Sequence, residues 1–116
     1  NTPLQALTLM NDITYVEASR VLAQRVLAES GRTPEQRLTR MFRLLTGRPP
    51  RAVELQILCA DLNQHHRRYR QDRRSALKLV SVGEAKLDET LDVAELAAYT
   101  AAANLILNLD ETITKE

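Results

Sequence analysis

The sequence has one cysteine, Cys59, no tryptophan, three glycines, four prolines and only 3% aromatic residues among its 116. A lone cysteine excludes an internal disulfide and any thiolate cluster able to hold zinc or iron–sulfur. So little glycine and proline excludes collagen-like and low-complexity sequence and leaves few tight turns. No stretch approaches the roughly eighteen uncharged apolar residues of a membrane-spanning helix. The opening Asn1-Thr2-Pro3-Leu4 has neither the basic start nor the apolar run of a signal peptide. What is abundant is leucine, alanine, valine and isoleucine, within a hydrophobic fraction of 44%. That supports one domain over residues 1–116 with an aliphatic core. The absence of an initiator methionine, together with a start inside helical pattern, suggests a fragment of a larger protein.

Capping residues and apolar spacing divide the chain into helices. Thr2 and Pro3 suit the start of a short first helix carrying Leu4, Leu7 and Met10. Asp12 can cap a second, from Ile13 to about Ser30, with Tyr15, Ser19, Leu22 and Val26 in a stripe, Val16, Ala23 and Leu27 beside it, and Gly31 as terminator. Thr33, Pro34, Glu35 and Gln36 form a full capping signature for a helix running to about Thr46. Its apolar face uses Leu38, Met41, Phe42, Leu44 and Leu45, and Gly47 closes it. After Arg48-Pro49-Pro50, a long helix spans Arg51 to about Tyr69. Asp72 starts a fresh turn, giving a separate short helix that ends at Gly83. Leu87 is the one core candidate in the polar link that follows. Asp92 and Glu95 then introduce an alanine-rich last helix, whose small side chains suit a central position packed on several sides. The expected fold is an all-α compact bundle of five or six helices with short connections.

The net charge of +1 conceals a division: residues 1–83 hold 14 basic and 7 acidic groups, whereas 84–116 hold 2 and 8. The densest basic run contains Arg67, Arg68, Arg70, Arg73, Arg74 and Lys78. A solvated face is the plainest reading of such a run. Arg67, Arg68, Arg73 and Arg74 are the candidates for anion binding, to phosphate, an acidic protein or the chain's own acidic last third. Nucleic acid is disfavoured, because only Tyr69 accompanies the cations and no recognition module is present. His65 lies four residues after Asp61, a spacing that joins imidazole to carboxylate or offers a metal two ligands, too few for a site. Glycines are isolated, no nucleophile elbow occurs, and Cys59 reads as a small hydrophobe. No residue is therefore nominated as catalytic, cofactor-binding or metal-ligating, and the fragment is expected to carry no cofactor. Asn11, Asp12 and Tyr15 form the strongest candidate for a buried polar junction.

Asn1-Thr2-Pro3-Leu4-Gln5-Ala6-Leu7, Asn11-Asp12 with Tyr15-Val16-Glu17-Ala18, Gly47-Arg48-Pro49-Pro50 with Glu54-Leu55, and Leu107-Asn108-Leu109-Asp110-Glu111 near the end resemble the C-terminal region of the DUF1553 family, planctomycete-type PSD1 proteins. The resemblance implies a large exported parent, periplasmic or associated with the cell envelope. Its upstream domains would be this fragment's partners. The resemblance supplies no catalytic residue, and Cys59 lacks the second cysteine and histidine of a c-type haem site. Two expectations follow for the module. Either its surface docks on upstream domains, or Asn11, Asp12, Tyr15, Asn108 and Asp110 converge in a cleft that those domains complete. Neither oligomeric state nor substrate is legible.

Overall fold

Helix boundaries follow the capping chemistry written in the sequence. The computed structural model describes the backbone of residues 13–29, 32–83 and 85–114, and the side chains of 15–29, 32–83 and 85–109. Within these residues the chain is all-α: α1 Ile13–Ala28, α2 Pro34–Thr46, α3 Ala52–Gln71, α4 Arg73–Val80 and α5 Val93–Thr114. The expected helix around Leu4, Leu7 and Met10, the Asp12 cap and the Gly31 stop lie outside the described residues.

At the start of α2 the Gln36 amide donates to Thr33 Oγ1 at 3.2 Å while the Thr33 amide donates to Gln36 Oε1 at 2.9 Å. This reciprocal box satisfies two amides that the first turn would otherwise leave open. Gly47 ends α2 at φ +80°, donating its amide to Arg43 O, a left-handed conformation that side chains with a Cβ resist. Asp72 both ends α3 and starts α4. Its amide bonds Arg68 O at 3.0 Å, while its carboxylate accepts from the Ser75 amide at 3.1 Å and the Ser75 hydroxyl at 2.6 Å. A helix cannot run through a residue whose side chain takes over the next amides, so α3 and α4 are separate as expected. α4 stops at Val80, short of the expected Gly83, which sits at φ +88° in the following loop. At the start of α5, Asp92 accepts from the Glu95 amide at 2.9 Å.

The core gathers around α5. Leu96, Ala97, Ala98, Tyr99, Thr100, Ala102, Ala103 and Ile106 are buried, covering nearly the whole circumference of that helix, and α5 touches each of the other four. Alanine makes this possible, because a methyl side chain lets neighbouring backbones approach more closely than leucine would. Around it, α2 contributes Leu38, Met41 and Phe42, α3 contributes Leu58 and Leu62, and α4 contributes Ala76 and Val80. Leu87 packs against the edge of this cluster from the 81–92 link, as expected. Leu44, assigned to the α2 core face from its spacing, is instead 43% exposed. The helix turns inward on Leu38, Met41, Phe42 and Leu45, leaving the flank that holds Leu44 toward solvent.

Ala98 and Ala102 are fully buried and Ala101 only partly so. Ala98→Leu and Ala102→Leu are each expected to cost about 1–3 kcal/mol by overpacking. The check is a lowered urea midpoint with unchanged slope, and a smaller shift for Ala101→Leu.

Candidate functional site

The inward face of α1 is polar at its centre. Val16, Ser19, Arg20, Ala23, Val26 and Leu27 form the buried stripe, and the spacing in the sequence picks out each of these but Arg20. Tyr15, expected in a buried junction, is 42% exposed. Arg20, a charged residue, is by contrast at a stripe position and is 1% exposed.

Arg20 is held by main-chain oxygens. Its Nη2 donates to Ala85 O at 2.6 Å and Val82 O at 3.3 Å, and its Nη1 donates to Lys86 O at 3.2 Å and Gln24 Oε1 at 2.9 Å. One turn earlier Glu17 accepts from the Ala85 amide. One turn later Gln24 Oε1 accepts from the Asp88 amide at 3.1 Å. Glu17, Arg20 and Gln24, at spacings of three and four, thus present acceptor, donors and acceptor along one ridge to the loop from 82 to 88. The loop has no helical partners for its own backbone groups, and α1 supplies them. Gly83 suits this contact, since its φ is positive and a Cβ there would displace the end of the Glu17 side chain.

A second internal junction lies on the same face. Ser19 Oγ donates to Asn104 Oδ1 at 3.0 Å, both residues being buried, and ties α1 to α5. This is one turn from Asn108, whose Nδ2 donates to the Asn104 carbonyl at 2.8 Å. Of the five residues expected to converge, Tyr15 faces solvent and Asn108 bonds within its own helix. Asn11, Asp12 and the Asp110 side chain lie outside the described residues.

The α2–α3 corner carries the most ordered charge. Arg48 Nη1 and Nη2 meet Glu54 Oε1 and Oε2 at 3.0 Å each, a bidentate pair. Glu54 Oε1 also accepts from the Arg51 amide at 2.8 Å. The Arg48 guanidinium lies over the Phe42 ring, 4.8 Å from its centre, close enough for a cation–π contact. Thr46 Oγ1 donates toward Phe42 O at 2.7 Å and accepts from the Arg48 amide at 3.3 Å. The Gly47-Arg48-Pro49-Pro50 motif with Glu54 is therefore a clamped corner. Glu54 is 6% exposed. The hydrogen bond from Arg48 holds its carboxyl below the usual range, against the opposing effect of burial.

Elsewhere the titratable groups are structural or open to water. His65 Nδ1 lies 3.2 Å from Asp61 Oδ1 and 2.9 Å from Asp61 O, and its ring stacks on Tyr69 with centres 6.0 Å apart. The sequence spacing thus does join imidazole to carboxylate. Burial pushes the Asp61 carboxyl up while His65 opposes it. Burial also pushes up the Cys59 thiol, which keeps it protonated and a poor nucleophile. Among the described residues no three histidine, cysteine or acidic side chains come together in a way that would hold a metal ion. Arg67, Arg68, Arg73 and Arg74 are all exposed and make no salt bridge among the described residues. A surface groove of about 610 Å³ runs along the outer side of α2. Two of its cations, Arg32 and Arg40, already lie 3.3 and 2.7 Å from Glu29.

Fold and polar interior together define a helical bundle whose buried polar groups serve its own connections. Residues 1–62 match the family model PSD1, a protein of unknown function (DUF1553), and the chain belongs to that family. The matched region takes in α1, α2, the Arg48–Glu54 corner and the first half of α3. The closing Leu107–Glu111 motif lies beyond it. No curated protein and no solved structure matches the chain. No helix among the described residues is long and apolar enough to cross a membrane.

Two substitutions test these junctions. Arg20→Met leaves the carbonyls of 82, 85 and 86 without their donor, and is expected to cost about 2–4 kcal/mol. Hydrogen exchange at the Ala85 and Asp88 amides should accelerate more than exchange within α5. Glu54→Gln is expected to cost about 1.5–3 kcal/mol at neutral pH. Because the folded carboxyl titrates below its unfolded value, its stabilisation is complete above the ordinary glutamate range and lost as pH falls through the lowered one. The gap between wild type and Glu54→Gln in urea unfolding should accordingly close on acidification.

Proposed function

We propose that this chain is a structural and docking module, without a reaction of its own, that packs against other domains of a longer exported polypeptide. The observation that carries this reading is where the buried polar side chains go. Arg20, Ser19, Asn104 and Glu54 bond to the chain's own loops, helices and connector. A catalytic site needs the reverse, namely polar groups held with bonding capacity left for a substrate. The surface supports the docking part: Val53 and Ile57, one turn apart on α3, are 57% and 45% exposed, a spacing that places both on one face.

The decisive experiment is coexpression of this chain with the remaining domains of its parent as separate polypeptides. Stoichiometric copurification is expected, weakened by Val53→Asp with Ile57→Asp. Recovery of the chain alone, folded and unassociated, would overturn the proposal.

A further inference from the structure

The α3–α4 corner concentrates charge that the interior does not use. Arg67, Arg68, Arg70, Arg73, Arg74 and Lys78 are all exposed, and none makes a salt bridge among the described residues. The one acidic residue between them, Asp72, is occupied in bonding Ser75. Asp72 also breaks the helix here, so the cations are carried on the end of the long α3 and on the short α4 rather than on one continuous helix. On α4 the outward side is not purely charged. Leu77 is 41% exposed and lines a shallow groove of about 420 Å³ with Arg74, Ser75, Lys78 and Ser81. Arg74, Leu77, Lys78 and Ser81 follow spacings of three, four and seven from Arg74, which places them on one face.

We propose that this outer face of α4, with Leu77 between Arg74 and Lys78 and with Arg73 beside it, is a docking surface for an acidic amphipathic segment of a partner protein. The proposal rests on the module reading above and deepens it by naming the partner's chemistry. Cations on both sides of an exposed leucine match a ligand that alternates carboxylates with an apolar side chain, and arginine meets carboxylate in a bidentate fork. A nucleic-acid strand matches less of the surface. Phosphates would meet the cations but leave Leu77 facing water, and α4 carries no aromatic ring on which a base could stack. Tyr69, the nearest ring in sequence, is stacked on His65. A lipid surface matches less as well. An interfacial helix needs a free apolar face, whereas Ala76 and Val80 of α4 are already in the core.

The test uses the whole chain and a labelled helical peptide of about 15 residues, with Glu and Leu repeated at four-residue spacing, read by fluorescence anisotropy. Saturable binding is expected that weakens several-fold between about 50 and about 200 mM salt. Arg74→Glu with Lys78→Glu should weaken it about tenfold or more. Leu77→Ala should weaken it by about three- to tenfold. Arg43→Glu on α2 should leave it unchanged. These positions are exposed, so thermal unfolding of each variant should coincide with wild type, and Arg73→Gln provides a milder variant if a charge reversal perturbs the fold. Absence of peptide binding overturns the proposal. So does a peptide affinity that ignores Leu77→Ala, or tighter binding of a thymidine oligonucleotide or of phosphatidylserine vesicles than of the peptide. A chain that copurifies with its parent's domains yet ignores the peptide overturns this surface while leaving the module reading in place.

Discussion

Everything in this fold depends on α5 being thin. One helix in contact with four others must allow close approach on nearly every side. The run of Ala94, Ala97, Ala98, Ala102 and Ala103 provides it, with only Leu96, Tyr99 and Ile106 as large buried side chains. The outer helices then need an apolar stripe on one side only, supplied by larger residues such as Phe42, Met41 and Leu58. Small residues in the centre and large ones at the periphery complement each other in volume, as close packing of an interior requires. The arrangement also explains how so few aromatics suffice. Tyr99 is the one ring on α5, and the Arg37 guanidinium lies over it, 5.8 Å from the ring centre and 3.5 Å from Glu95.

A central helix creates a second problem, because the link from 81 to 92 must pass over the bundle with its backbone groups exposed or partnered. The ridge of Glu17, Arg20 and Gln24 meets that need. Burying an arginine is costly when its charge faces hydrocarbon, but here three carbonyls and a side-chain amide surround the guanidinium. The exchange is reciprocal: the loop's carbonyl dipoles solvate the Arg20 guanidinium, and Arg20 fixes where those carbonyls lie. Glu17 adds the acceptor that Ala85 needs, and Gly83 makes room for it.

These elements differ in how well the sequence announces them. Local chemistry is legible because it operates over three or four residues: the Thr33–Gln36 box, the Gly47 stop, the Asp72 break and the alanine content of α5 could all be read directly. The burial of Arg20 on α1 could not. A count of hydrophobic positions places Tyr15 and Leu22 inward and passes over Arg20, because the value of a buried arginine lies in carbonyls more than sixty residues away in sequence. Leu44 misleads for a related reason, since spacing alone does not say where a partner helix stops covering a face. The Gly47–Glu54 segment stands between these cases. Its residues are recognisable as a motif, yet that Arg48 and Glu54 form a bidentate clamp follows from the turn that Pro49 and Pro50 impose, and only the fold reveals it.

The division of charge along the chain gains a different meaning from this geometry. A basic first part and an acidic last part suggest attraction between the two, but among the described residues one salt bridge joins them, Arg37 with Glu95. Further links between the two blocks include hydrogen bonds to backbone, such as those of Arg20 and Glu17, a bond between neutral side chains, Ser19 with Asn104, and the Arg37 guanidinium over the Tyr99 ring. Attraction between charge blocks is therefore not what holds the last helix in place; burial of its small residues does that. Bonds to backbone and between neutral groups also survive salt better than exposed ion pairs do. The exposed cations Arg67, Arg68, Arg73 and Arg74 accordingly stand outside the contacts that hold the last helix in place.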